Sequence, residues 1–285
     1  MAKTDRKLYR LYYERYKLLA LNMFRWENLP PTIKSRNIEK ALFEHGKAII
    51  FNDEDCGLIC LGANDGGKLN INGDPISFIA TGFNYSKHIT IDKDSAIIYN
   101  NALGQNTEKY VKQYALEMTE VKRSINANIR LQKFPYLFET NKNNKNSLKQ
   151  LFEQIEDGEP VIFGNKDLNI ENINVLGLNV PYVADKLNEY RYELEREILT
   201  FFGLNNSFEK KERLLVDEVN SNNDFISRNV DLMYQSRLDA CKEINEKFGL
   251  NIRVIKINDE GNHIENKKYR GEINGEIHNR IKSVK

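Results

Sequence analysis

PYVADKLNEYRYELEREILTFFGL at 181–204, NNSFEKKERLLVDEVNSNND at 205–224 and VDLMYQSRLDACKEINEKFG at 230–249 form the stretch on which the fold turns. In the first segment Leu187, Tyr190, Leu194, Ile198 and Phe201 recur at three- and four-residue steps, which places them on one face of a helix. The opposite face is dense in charge of both signs. The third segment repeats the pattern through Tyr234, Leu238, Cys241, Ile244 and Phe248 and stops at Gly249, a residue that caps a helix in the left-handed conformation. Between them, Lys210 and Lys211 lie in a polar run with little apolar period before Leu214. The pattern reads as helix, basic loop, helix; it suits a loop that meets a polyanion, and a plain solvated loop is the alternative.

Working outward, Thr107 to Lys133 gives the longest helical period, through Val111, Tyr114, Met118, Val121, Ile125 and Ile129. At 1.5 Å per residue this helix spans roughly 40 Å. Between it and residue 181, Ser147 and Gln150 form a capping-box pattern ahead of Leu148, Leu151, Phe152 and Ile155, and PVIF follows as a strand. Residues 47–100 break into short apolar bursts: KAIIF, CGLICLG, KLNI, ISFIATG, HITI and SAIIYN. Asn72-Gly73 marks a hairpin between two of them, and five or six strands at this spacing predict a small antiparallel sheet or barrel. Ser35 to His45 reads as a helix closed by Gly46. From Lys7 to Leu29 the spacing of Leu8, Tyr12, Leu19, Met23 and Trp26 predicts another, ended by Pro30 and Pro31. LNIRVIKI after Gly249 reads as a strand, and the polar, glycine-bearing tail beyond it as disordered or a short crown.

With 42 Lys and Arg against 41 Asp and Glu, the chain has a formal net charge of +1. A protein that coats nucleic acid non-specifically is usually far more basic. A conduit has the opposite need, because dense positive charge would hold a polyanion and stop it sliding. Cys56, Cys60 and Cys241 are odd in number and lack zinc-like spacing, so neither a disulfide framework nor a metal site is expected. No run is apolar enough to span a membrane, and MAKTDRKLYR has no signal-peptide core, which predicts an intracellular soluble protein. Around that N-terminus Lys3, Arg6, Lys7, Arg10, Arg15 and Lys17 alternate with Tyr9, Tyr12, Tyr13 and Tyr16. Such interleaving can hold phosphates and stack bases, or the tyrosines can simply pack.

GANDGGKL at 62–69 satisfies the G-x-x-x-x-G-K part of a phosphate-binding loop, with Lys68 as the reaching cation. Position 69 is Leu where magnesium binding needs Ser or Thr, and strand-like sequence follows where a helix should. A glycine-rich hairpin turn is the favoured reading. His45, His88, His263 and His278 show no ligand spacing. No nucleophile elbow is present, and Asp53, Glu54 and Asp55 read as a solvated turn, so no enzymatic activity and no cofactor are expected.

WENLPPTI at 26–33, AIIYNN at 96–101, EPVIFG at 159–164, PYVADKLN at 181–188, EKKERLLVDEV at 209–219 and ACKEINEKFGLNIRV at 240–254 resemble, in this order, the portal or upper collar protein of short-tailed phages of the Picovirinae type. The resemblance implies an α+β portal fold whose subunits form a head-to-tail ring of twelve at the capsid vertex, with double-stranded DNA passing through. It implies a basic helical arm and wing helix at 1–46 and a β-rich, SH3-like wing at 47–106. Stem helices fall at 107–133 and 181–204, around an α/β clip at 134–180. A channel or valve loop follows at 205–224, a wing or crown helix and strand at 225–260, and a polar tail at 261–285. Lys186, in ADKLN, and Lys210 and Lys211, in EKKER, correspond to channel-facing lysines. A further family lysine belt just before PYV has no counterpart in GLNV at 177–180, and the tail departs from the family pattern. Lys3, Arg6, Lys7 and Arg10 lie in the arm that meets the packaging machinery, including a packaging RNA in some members. The implied partners are genomic DNA, major capsid and scaffolding proteins, the lower collar or tail protein and a separate packaging ATPase, with no membrane, in a virion assembled in the host cytoplasm. The alternatives are a monomeric nucleic-acid-binding adaptor resting on the N-terminus and a nucleotide-binding enzyme resting on GANDGGKL.

Overall fold

A computed structural model of the chain describes residues 3–133, 136–140, 145–146, 148–150, 153, 173–177, 179–204 and 216–257. They form a mixed helical and sheet protein in two units, one of Met1–Thr119 with Tyr192–Lys285 and one of Glu120–Arg191.

In the first unit, helix α1 (Lys3–Leu21) is followed by strand β1 (Phe24–Glu27) and helix α2 (Ser35–His45). Strands β2 (Lys47–Asp53), β3 (Gly57–Asp65), β4 (Ser77–Gly82), β5 (Tyr85–Thr90) and β6 (Ser95–Tyr99) make one antiparallel sheet in the order β5-β4-β3-β2-β6. Four strands therefore run as a meander and the fifth returns beside the first, the connectivity of an SH3-type sheet. One face buries Ile49, Phe51, Ala63, Phe78 and Ala80. The alternate residues Ala48, Ile50, Ala96 and Ile98 are equally buried, because α2 packs over β2 and β3 while helix α5 (Val216–Phe248) packs over β6. A strand buried on both faces needs an apolar run, and AIIF at 48–51 supplies it.

Helix α2 ends as its sequence predicts. Gly46 adopts φ 77° and its amide bonds Leu42 O at 2.9 Å. A Cβ at this position would collide with Gly104 O, so the glycine is required twice over, by its conformation and by the close approach of the 104–106 backbone.

Elsewhere the structure differs from the sequence reading. The helix expected over Lys7–Leu29 is a helix only to Leu21; Asn22 then bonds back to Leu18 O through its side chain. FRWE becomes β1, with Phe24 and Trp26 inward and Arg25 outward, because Arg253–Lys256 (β9) offers an antiparallel partner. Pairing outside the segment overrides its local period. KLNI forms no strand: Asn70 Oδ1 accepts from the amides of Asn72 and Asp74, at 2.8 Å each, and an isolated Leu69–Pro75 bridge closes the turn. The polar loop expected through residue 224 is helical from Val216, where α5 begins.

In the second unit, the C-terminal part of helix α3 (Glu108–Lys133) meets the segment before helix α4 (Ala184–Phe201), and β7 (Tyr136–Thr140) pairs antiparallel with β8 (Ile173–Gly177). Asn128, buried where the period favoured Ile129, donates to Pro181 O at 2.9 Å and accepts from the Val183 amide at 3.1 Å. Gln132 donates to Val180 O at 2.8 Å. These bonds fix the chain entering α4. The cap at Ser147, the PVIF strand and the tail from 258 lie outside the described residues. Among the described residues no helix is long and apolar enough to cross a membrane.

Candidate nucleic-acid interface

Helix α1 places Lys3, Arg6, Lys7 and Arg10 at steps of three and four, so one backbone face carries all four. Arg6, Lys7 and Arg10 are exposed. Arg10 bonds Glu14 at 2.6 Å one turn on, whereas Arg6 and Lys7 form no ion pair among the described residues. The other cations of this helix are engaged inward. Arg15 pairs with Glu195 at 2.7 Å, and Lys17 pairs with Glu44 at 2.9 Å while lying over the Phe43 ring.

The tyrosines pack against the body of the first unit. Tyr9 stacks on Tyr13 and Tyr12 on Tyr16, the last fully buried. Tyr13 donates to Glu108 Oε1 at 2.7 Å; burial and then that carboxylate push its phenol well above the ordinary range. Of the two uses left open for these aromatics, the structure takes packing, and the exposed chemistry of α1 is cationic.

Lys186 stands exposed in the first turn of α4. Its neighbour Asp185 accepts from Tyr182 Oη at 3.0 Å, and the Asn128 contacts hold residues 181–183. Lys186 thus projects from a fixed helix end. Lys210 and Lys211 lie outside the described residues, as does the side chain of Lys3.

GANDGGKL is no phosphate cradle. Gly62 to Asp65 belong to β3, Gly67 turns at φ 86°, and β4 follows with no helix between. The amides that would cradle a phosphate are engaged locally: Gly66 N donates to Ser77 O at 2.7 Å and Lys68 N to Ser77 Oγ at 3.1 Å. The requirement of strand, loop and helix is unmet.

The first unit also holds a buried charged cluster that sequence reading missed. Arg237, 2% exposed, grips Glu39 with Nε to Oε1 at 2.9 Å and Nη2 to Oε2 at 2.8 Å. Its other donors reach Asn100 O, Asn100 Oδ1 and Met233 O at 3.0–3.1 Å. All five guanidinium N–H groups are therefore satisfied. Trp26 Nε1 donates to Glu39 Oε1 at 2.7 Å, and the Phe24 ring lies 4.2 Å from Arg237 Cζ. The cluster ties β1, α2, the end of β6 and α5 together. Trp26 of WENLPPTI and Asn100 of AIIYNN both enter it, which gives two of the quoted motifs a physical role.

The family model described as Phage Connector (GP10) matches residues 1–260 of this chain. Among solved structures, the chain is similar to the portal and tail of native bacteriophage P68 at 18% identity and TM-score 0.46, covering 87% of this chain and 85% of that one. It is similar also to an HK97 family phage portal protein from Corynebacterium diphtheriae, at 10% identity and TM-score 0.47, covering 85% and 90%.

Proposed function

This chain belongs to the phage connector family, and we propose that it forms a closed head-to-tail ring, of the Picovirinae portal type, through which double-stranded DNA is packaged, retained and ejected. The observation that carries the reading is the family match across residues 1–260, joined to the ordered motifs of the sequence. Identical subunits joined by a heterologous contact close into a ring when the rotation closes. One exposed lysine per subunit then becomes a belt of charge. Lys186 at the start of α4 supplies one such belt, and Lys210 with Lys211 another. Phosphate contacts carry no base information, so belts spaced along a channel hold passing DNA briefly whatever its sequence. Residues 107–133 and 184–204 serve as stem, 134–180 as clip, 47–106 as wing and the segment around 205–224 as a valve against back-slippage.

The exposed cationic face of α1, with Arg6, Lys7 and Arg10, is the proposed contact with a packaging component that carries phosphates. The family is a structural one, so in this reading ATP hydrolysis belongs to a separate motor and the chain supplies the conduit.

Native mass spectrometry of the purified protein, with electron microscopy of the same sample, tests the ring. A closed assembly near twelve subunits with a central hole is expected. A stable monomer at high concentration that binds DNA with a steep salt dependence overturns the ring in favour of an adaptor.

A further inference from the structure

The two edges of the five-stranded sheet are treated differently. In the β2–β6 pairing Asn52 N bonds Asp94 O and Asn100 N bonds Gly46 O, so in an antiparallel ladder the backbone groups of Ser95, Ile97 and Tyr99 point away from β2. That side lies under α5. Lys247 donates to Ser95 O at 2.8 Å and, just before the strand, to Asp92 O at 2.9 Å. At the other edge, Ile91 N bonds Ile76 O in the β4–β5 register, so the outward groups of β5 belong to Ser86, His88 and Thr90. All three residues are exposed, and among the described residues no protein group bonds their amides.

The surroundings of this bare edge have a definite chemistry. Phe83, 96% exposed, stands at the turn entering β5, and Ile71, fully exposed, at the turn leading to the strand that pairs with its far end. Tyr85 Oη donates to Asp53 at 2.6 Å, which brings the turn with exposed Glu54 and Asp55 beside the first end. Asp92 and Asp94 follow the second. Exposed Glu54, Asp55, Asp92 and Asp94 outnumber the exposed Lys68 and Lys93, while Lys87 is paired with Asp53 and Lys247 with Glu243.

We infer that β5 is an acceptor for strand addition, and that its occupant is an extended, lysine- or arginine-rich segment of a partner protein. Backbone bonds to Ser86, His88 and Thr90 supply the affinity, the carboxylates at both ends select a basic segment, and Phe83 and Ile71 cover its apolar side chains. A sheet edge left with unpaired groups and apolar flanks is otherwise an aggregation hazard. The inference stands on the first unit alone and does not depend on ring closure, so the two readings fail separately.

The test uses the full chain and a synthetic peptide of about ten residues, long enough for one strand, alternating lysine and valine. Hydrogen exchange across residues 84–91 is expected to slow roughly tenfold under saturating peptide. The same peptide N-methylated at alternate residues, which cannot extend the ladder, should leave exchange unchanged, and so should a glutamate–valine peptide. Ser86→Pro removes an outward amide that the sheet does not use, and should abolish protection while leaving the unfolding midpoint near that of the parent. Unchanged exchange with the lysine peptide overturns the inference. Equal protection by the N-methylated peptide overturns strand addition, and equal protection by the glutamate peptide overturns the basic occupant.

Discussion

Arg237 and Arg6 carry the same group and do opposite things. Arg237 is enclosed by α2, β1, β6 and α5 with every donor satisfied, whereas Arg6 lies on a solvated helix face beside Lys7. The difference teaches that charge in this protein has two jobs, one internal and one outward, set by what surrounds the cation. Internally it fixes how distant parts of the chain meet. Outwardly it stays on a solvated face, where we propose that a partner meets it.

Breaking the internal cluster should give the largest effect. Arg237→Ala strands the buried Glu39 carboxylate and should cost about 3–5 kcal/mol of unfolding free energy in a denaturant titration. A loss no larger than that of a surface arginine would mean that the two regions do not differ as described. Gly46→Ala comes next, since the helix cap must leave its left-handed conformation and Gly104 must move; about 1–3 kcal/mol is expected by the same titration. Lys247→Met, which bares two carbonyls at the covered sheet edge, should cost about 1–2 kcal/mol.

A pH titration sharpens the comparison from a partly covered site. Asp53 is held down to about 2, from the usual 3.8, first by the Tyr85 hydroxyl and then by the Cys56 and Asp55 amides and Lys87, against an opposing contribution from burial. A carboxylate lowered on folding gives stability that is fully present above its unfolded value and is lost as pH falls toward its folded value. Unfolding midpoints should therefore fall between about pH 4 and pH 2, and Asp53→Asn should flatten that part of the profile. The smallest effect belongs to the outward cations. Arg6→Ala with Lys7→Ala should change stability by less than about 0.5 kcal/mol while weakening the salt-dependent binding of nucleic acid.

Where local chemistry decides, the sequence was readable. The 35–45 helix and its Gly46 cap were visible because the apolar spacing and the left-handed stop belong to one segment, and the strands of 47–100 because their short apolar bursts are separated by turn residues. FRWE was misread because Leu19, Met23 and Trp26 keep helical spacing; only β9, more than two hundred residues on, makes Phe24 and Trp26 alternate as a strand. The partners of Arg237 were hidden for the same reason. One signal was available: residue 237 falls on the apolar stripe of α5, between buried Met233 and Cys241, where an arginine is out of place unless something buried receives it. Of the candidate site, the basic residues were legible but not their shared face: the helix expected from Lys7 starts at Lys3, which brings Lys3, Arg6, Lys7 and Arg10 onto one backbone face. Sequence spacing could not tell that Arg15 and Lys17 are tied to Glu195 and Glu44, because those partners come from other elements.

The distance along the chain between Glu39 and Arg237 has a consequence for biosynthesis. The first unit is made from two separated stretches, and the cation that neutralises Glu39 is translated 198 residues after it. At about 5–20 residues per second, a ribosome leaves on the order of 10–40 s between the two. During that interval the nascent segment carrying Glu39 cannot complete its core without burying a lone carboxylate, so final closure of the subunit, and any assembly that needs it, must await the synthesis of α5.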